Sequence, residues 1–361
     1  MVSVNDEIAD KLVSHQIGLQ RLSNRTVRKI LKMLRVSDRR IARRLLEGDI
    51  TDVSRRRQEA ILKQIRETID EVYEDATISL RRQLSDLAEY EGEYQLNLLQ
   101  KSVGSTVDFV SISADQVIAA AISEPFQGKY LKEWGQELSD AQFRRVRDAV
   151  RLGVVEGRTT PEIVRELRGT RAQGYKDGIL EIDRRNAEAV VRTAVNHTAT
   201  AARERVYGRN KKLIKGVQML ATLDTRTSMT CMRADNRVAI GEGYSKSDFS
   251  EGTLFLEDLP DMTNDSRPPF HINCRTTTTP VLRSLRELGL KETVGTRASM
   301  NGQVPADMSY SDWLKKQSKD VQDDVLGKGK AELFRKGEPI ERFINEKGKE
   351  VTLDELRARD G

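Results

Sequence analysis

At 361 residues the chain is long enough for two or three domains, each with its own core. With 32% charged, 37% hydrophobic and only 5% aromatic residues, it has a helix-rich profile, and no run approaches the roughly 18 consecutive apolar residues a membrane helix needs. Two cysteines exclude a disulfide framework. The start, Met1-Val2-Ser3-Val4-Asn5-Asp6-Glu7, has neither a basic n-region nor an apolar h-region, so synthesis in a reducing host cytoplasm is expected.

The formal net charge of +5 is unevenly spread. Residues 21–66 hold 15 Lys/Arg against 5 Asp/Glu, so the remainder of the chain is net acidic. The surplus is carried by Arg21, Arg25, Arg28, Lys29, Lys32, Arg35, Arg39, Arg40, Arg43, Arg44, Arg55, Arg56 and Arg57. Such a run is either a solvated helix face or a patch for phosphate or an acidic protein surface.

In chain order, residues 24–46 read as a helix, with Val27, Ile30, Leu31, Leu34, Ile41 and Leu45 mostly at three- and four-residue steps. Leu62, Ile65, Ile69, Val72, Ala76, Leu80, Leu84 and Leu87 form a second stripe that no proline interrupts. Two such stripes imply a helical hairpin or bundle, with whatever stays uncovered open to a partner helix. Residues 103–122 read as a buried helix or a connecting arm. A further helix is expected around Phe143, Val146 and Val150. Thr159-Thr160-Pro161-Glu162 is a helix start, with Thr as cap and Pro in the first turn, and Gly169 is its stop. Residues 182–207 form another long helix.

From Lys215 the period changes. Val217, Met219, Ala221 and Leu223 alternate with their neighbours as a strand does, and residues 237–240 and 276–282 read as two more strands. Residues 241–266 and 295–306 read as loops. Tyr310-Ser311-Asp312-Trp313-Leu314 starts a helix that Val321 and Val325 continue and Leu326-Gly327 ends, while Phe334, Phe343 and Val351 point to a small subdomain. The fold class is therefore α+β: a largely helical N-terminal arm, then an α+β module with a small sheet. The expected division is a helical arm over 1–100, a connector over 101–178, the module over 179–290 and a C-terminal subdomain over 291–361.

The chemistry-bearing residues gather between Arg192 and Pro280, where both cysteines and two of the three histidines lie. His271-x-x-Cys274 has a spacing found in zinc sites, and Cys231 could join it in space. Ala234 stands where a CxxC would have its second cysteine, and Thr276 follows Arg275, so at most three ligands are visible, with Asp224, Asp235 or His197 open as a fourth. A Cys–His nucleophile is the enzymatic alternative, but no local signature flanks the thiols. A disulfide between the two cysteines stays open once outside the cell, and packed thiols with His271 bonded to backbone are the reading adopted. No catalytic or metal residue is assigned and no cofactor is required, with structural zinc left open. Asp224, Arg226 and Arg192 are expected to form a charge brace, since Asp-x-Arg at a strand end offers a carboxylate to a guanidinium. Pro268-Pro269 is expected to fix an extended approach to His271.

In this order, Arg192-Thr193, Asp224-Thr225-Arg226-Thr227, Cys231, Pro268-Pro269-Phe270-His271 and Asn273-Cys274-Arg275 resemble the phage Mu F-like head morphogenesis family, also called minor head or minor capsid proteins. The resemblance spans about residues 180 to 282. It departs from the family at Ala234 and Thr276, where many members carry cysteines. The resemblance implies a structural virion protein rather than an enzyme, present in few copies inside the capsid near the portal vertex, acting in head assembly, DNA packaging and genome delivery. It implies portal protein and major capsid protein as partners, no membrane, and packaged double-stranded DNA as a further partner left open. The alternatives are a Cys/His or metal-dependent enzyme of the capsid interior and a DNA-binding protein using the basic N-terminal helices.

Overall fold

The computed structural model describes residues 4–103, 108–283, 296–305, 308–344 and 350–358. Six helices come first: α1 Val4–Gly48, α2 Arg55–Val103, α3 Ala114–Ser123, α4 Leu131–Val155, α5 Thr160–Arg168 and α6 Leu180–Arg209. β1 Ile214–Leu220, α7 Met229–Ala234, β2 Val238–Ile240 and β3 Thr277–Leu282 follow. The end of the chain carries β4 Thr296–Ser299, β5 Gly302–Pro305, α8 Tyr310–Lys315, α9 Lys319–Leu326, α10 Lys328–Arg335 and α11 Leu353–Ala358. The α+β class read from the sequence holds.

The chain divides into two compact units, one of residues 1–20, 88–121 and 196–361, the other of residues 21–87 and 122–195. Each of the three long helices α1, α2 and α6 contributes one stretch to each unit. The stretch 1–100, expected to be an arm, is thus shared between two cores.

In the unit built from residues 21–87 and 122–195, the two expected apolar stripes are buried. Leu34, Ile41 and Leu45 of α1 pack with Ile61, Leu62, Ile65, Ile69 and Val72 of α2, and Val146, Val150, Ile163 and Leu167 of α4 and α5 close the cluster. With Leu180 and Ala187 of α6, five helices surround this core, and among the described residues both stripes are buried, which corrects the expectation of partly uncovered stripes. Thr159 caps α5 as expected, with its backbone N–H on the Glu162 carboxylate at 2.8 Å, and Gly169 ends the helix at φ 79°.

In the other unit, β1 is the centre of a three-stranded antiparallel sheet of order β2-β1-β3, with Val217 opposite both Ala239 and Pro280. Pro280 is tolerated because β3 is an edge strand. Gly216 is required by space: a Cβ there would stand 2.6 Å from the Ala239 carbonyl oxygen. The first turns of α1 (Val4, Ile8, Leu12), the end of α2 (Leu98, Leu99) and the end of α6 (Val206, Tyr207) cover Ile214, Val217 and Leu282 of the sheet. A third cluster, with Tyr310, Trp313, Phe334, Phe343 and Val351, forms the expected small subdomain together with Leu223 and Met232.

Several local expectations change. Residues 295–306 were expected as a loop, but β4 and β5 form a hairpin with Thr296 opposite Pro305; Gly295 and Ala306 lie outside the described residues. Within residues 103–122, Val103 ends α2 and α3 starts at Ala114, while 104–107 lie outside the described residues. The helix expected over 310–326 is two, because the Ser318 hydroxyl accepts from the Val321 N–H at 3.3 Å and starts a new one.

Between α1, α2, α6 and β3 lies a buried charge cluster. Glu91 and Arg203 are fully buried and paired, Arg203 Nε to Glu91 Oε1, at 2.6 Å. The second Glu91 oxygen faces His15 Nε2 at 2.5 Å, and Gln95 donates to the first at 2.8 Å. Arg203 also donates to the Thr277 hydroxyl and, at 3.5 Å, to Gln16. Burial pushes the Glu91 carboxyl up, but the Arg203 charge and the His15 hydrogen bond outweigh it and hold the group at about 2. Glu91→Gln keeps the shape and leaves the guanidinium uncompensated, so the full chain should lose on the order of 3 kcal/mol in denaturant unfolding. Replacing both partners together, Glu91→Leu with Arg203→Met, should recover much of that loss. A Glu91→Gln protein within about 0.5 kcal/mol of the parent would contradict the cluster's structural weight.

Candidate functional site

The site is a loop system on the β1–β3 side of the sheet. Beyond β1 the chain turns at Asp224, and Ser228 caps α7 by accepting from the Cys231 N–H at 3.3 Å. This places Cys231 in the first turn of α7, its side chain directed inward and buried. The second half arrives from Pro268-Pro269, whose peptide bond is cis. Asn273 takes φ 63°, a left-handed conformation that asparagine tolerates, and the Cys274 N–H closes the turn on the His271 carbonyl at 3.1 Å. Asn196 of α6 fixes the exit by donating to the Cys274 carbonyl at 3.0 Å and the Thr276 carbonyl at 3.2 Å. Asn196 was not singled out in the sequence. Its signal was its place one turn after the Arg192-Thr193 pair, on the face that also carries Thr200 and Arg203.

The turn and α7 bring three donor atoms together. Cys231 Sγ lies 3.6 Å from Cys274 Sγ and 3.1 Å from His271 Nε2, and all three atoms fall within 4.8 Å of one another. Both thiols are free. His271 Nδ1 faces the Ile272 carbonyl at 2.8 Å, so its N–H is directed there and Nε2 is turned to the sulfurs and to Ser228 Oγ at 2.7 Å. The expected backbone bond of His271 is therefore present, together with contacts to both sides of the loop.

The charges are shared unequally. A hydrogen bond from Cys231 and the neighbouring His271 draw the Cys274 thiol well below its ordinary value against the effect of burial. The same sulfur–sulfur contact, with burial, pushes Cys231 well above its own. The hydrogen bond to Cys274 raises His271, burial notwithstanding. Of the two sulfurs, Cys274 is the one whose surroundings favour the thiolate form. Both cysteines are only 2% exposed, so neither sulfur faces solvent as an attacking nucleophile does.

Asp224 forms a brace that includes Arg226, as expected, but its bidentate partner is Arg275. Arg275 grips its carboxylate in bidentate fashion, Nη2 to Oδ1 at 2.6 Å and Nη1 to Oδ2. Burial pushes the Asp224 carboxyl up, but Arg275 more than offsets it and the group sits below the ordinary carboxylate range. Arg226 adds its backbone N–H to Asp224 at 3.0 Å and a long side-chain contact at 3.5 Å. Thr227 donates to Asp224 Oδ1 at 3.2 Å. Arg192 is paired with Glu188 one turn back on α6, at 2.7 Å. Arg275 was passed over because its distance of 51 residues from Asp224 left no spacing to read. The neighbouring Thr193 hydroxyl bonds the Ala189 carbonyl at 2.7 Å. Asp235, considered as a fourth ligand, is occupied by the backbone N–H groups of Ala221 and Tyr310, each at 2.8 Å.

Asp224→Ala and Arg275→Ala should each cost roughly 1–3 kcal/mol in unfolding of the full chain, because each leaves a partly buried charge unpaired. The double variant should cost less than the sum. Arg192→Ala should stay within about 0.5 kcal/mol of the parent, as loss of one half-exposed i, i+4 pair does. Equal costs for Arg192→Ala and Arg275→Ala would return Arg192 to the brace.

No curated protein and no solved structure matches the chain significantly. Residues 144–279 match the family model described as "Phage Mu protein F like protein". The match starts earlier than the motif residues do, in α4, and ends inside β3. It takes in Arg192, Thr193, Asp224, Arg226, Thr227, Cys231, Pro268, Pro269, His271, Asn273, Cys274 and Arg275, the residues of the brace and of the thiol site among them. Residues 144–279 are thus matched to the phage Mu F-like family that these motifs resemble, a family that points to phage head morphogenesis.

Proposed function

We propose that this chain is a minor head protein of a phage: a structural virion component held inside the capsid near the portal vertex, contacting portal and major capsid protein, with packaged duplex DNA against a basic face of α1. The match of residues 144–279 to the phage Mu F-like family carries the head-protein reading. The buried, crowded thiol site favours a structural role for the matched segment over the enzymatic alternative.

The DNA contact rests on a separate observation. Arg21, Arg25, Arg28, Lys32, Arg35, Arg39 and Arg43 recur at three- and four-residue steps and so share one face of α1. That face runs about 33 Å at 1.5 Å per residue. All seven are exposed, and none has an ion-pair partner among the described residues. The only acid between Arg21 and Leu46 is Asp38, which is buried and paired with Arg184. Arg35 and Arg39 also border a recess of about 340 Å³ with Arg168 and Lys176, in which Arg184 is paired with Asp38 and Glu181. A solvated helix face would ordinarily interleave acids at i, i+4 to relieve repulsion; here they are missing. With the apolar stripes buried in the core, docking through this face is electrostatic.

Binding of the full chain to a short duplex should therefore weaken steeply with salt. If about five phosphates are neutralised, affinity should fall roughly 500-fold between about 50 and 200 mM salt. Arg25→Glu, Arg28→Glu, Lys32→Glu and Arg39→Glu combined should abolish that binding without loss of stability. Fluorescence anisotropy and incorporation into particles read the two parts of the proposal separately. Duplex binding that ignores both salt and the four reversals removes DNA from the reading. Absence of the parent chain from purified particles removes the head-protein reading itself.

A further inference from the structure

The chemistry and spacing of the sulfurs and imidazole go further than a packed thiol pair. Two sulfurs bound to one tetrahedral zinc ion at about 2.3 Å stand about 3.8 Å apart, and a sulfur and a ring nitrogen stand about 3.5 Å apart. Cys231 and Cys274 are 3.6 Å apart, and Cys231 Sγ is 3.1 Å from His271 Nε2. An ion needs only slight outward movement of the three atoms. The nitrogen that faces the sulfurs is the right one, since Nδ1 is engaged by the Ile272 carbonyl, the outer contact that orients zinc-bound imidazoles. Two thiolates would neutralise a divalent charge, leaving no net charge to bury beside Arg275.

The environment is also fixed before any ion arrives. Asn196 holds the Cys274 and Thr276 carbonyls, and Ser228 holds the Cys231 N–H. Thr276 is 1% exposed, and its hydroxyl is set against the Cys231 thiol. A thiol is a weak hydrogen-bond partner, and a solvent molecule on a bound ion would give that hydroxyl a stronger one. Asp224 and Asp235 are taken by Arg275 and by backbone N–H groups, so neither is available as a fourth ligand.

We propose that Cys231, His271 and Cys274 form a three-ligand zinc site whose fourth position is filled by solvent beside Thr276 and Ser228. The site ties α7 to the His271–Cys274 turn, closing the segment between them, and its role is to hold that segment in place. Three protein ligands and one exchangeable ligand make it weaker than a closed four-ligand centre and open to exogenous anions.

The test uses the full chain, purified under reductant, stripped with chelator and dialysed against zinc or cobalt(II). One equivalent of metal per chain is expected, with a thiolate-to-cobalt charge-transfer band and the intense visible bands of four-coordinate cobalt. Added azide or cyanide should shift the visible bands, because the fourth position exchanges. Cys231→Ala and Cys274→Ala should each lose the stoichiometric ion. His271→Cys should keep it and strengthen the charge-transfer band, which guards against reading misfolding as loss of a ligand. Three outcomes overturn the proposal. They are a chain that holds no zinc although both thiols titrate as free, equal zinc with both cysteines replaced, and a chain recovered metal-free with the two sulfurs joined and two hydrogens lost. Cobalt bands indifferent to azide and cyanide would overturn the open fourth position.

Discussion

The pairing of Glu91 with Arg203 is the constraint on which the sheet-bearing unit depends. A guanidinium with no exposed surface is tolerated only if its donors find acceptors and its charge an anion. Here the acceptors come from α2 (Glu91), α1 (Gln16) and β3 (Thr277). The ends of α1 and α2 are therefore committed to the sheet. Asn196 lies seven residues before Arg203 on α6, two turns along the same face. Arg203 engages Thr277, and Asn196 engages the carbonyls of Cys274 and Thr276. One helix face thus positions β3 and the thiol-bearing loop that leads into it.

Most of the secondary structure was legible because it is written in periodicity. The apolar steps through Leu34, Ile41 and Leu45, the Thr159 cap and the alternation through Val217 and Met219 all correspond to elements. The early extent of α1 was not read, although Val4, Ile8 and Leu12 lie on one face and meet the sheet. These residues are spaced among acids and polar residues, so the stripe is thin. The hairpin β4–β5 was missed for a related reason: four-residue strands around Met300 and Asn301 are too short to show a period. What sequence could not supply was pairing at long range. Local spacing suggested Arg226 and Arg192 for Asp224, whereas the bidentate partner, Arg275, comes from the far side of a long insertion. The thiol site was legible as composition, Cys231 with His271 and Cys274, and only the fold shows that these three atoms share one small space.

The two functional features fall in different units. The basic face of α1 is assigned to residues 21–87 and 122–195, and the thiol site to residues 196–361. The physics of the two differs as well. The basic face has unpaired surface charge, which acts at a distance and is screened by salt. The thiol site is buried, short-ranged and insensitive to screening, and its residues lie within the segment matched to the phage Mu F-like family. A buried thiol-bearing loop system and a solvent-facing cationic helix suit the proposed role of a structural part beside a polyanion.

The central claim is that this chain is a component of a phage head, placed at its portal vertex. The most direct measurement is an electron-microscopy reconstruction of particles assembled with this chain, computed without imposed icosahedral symmetry and accompanied by quantitative mass spectrometry of the same particles. The account predicts that the chain co-purifies in far fewer copies than the major capsid protein, with density for the segment matched over residues 144–279 on the inner side of the portal vertex and the cationic face of α1 turned to the DNA. Particles that assemble and fill with no copy of the chain, or that carry it spread evenly over the capsid shell, would contradict it.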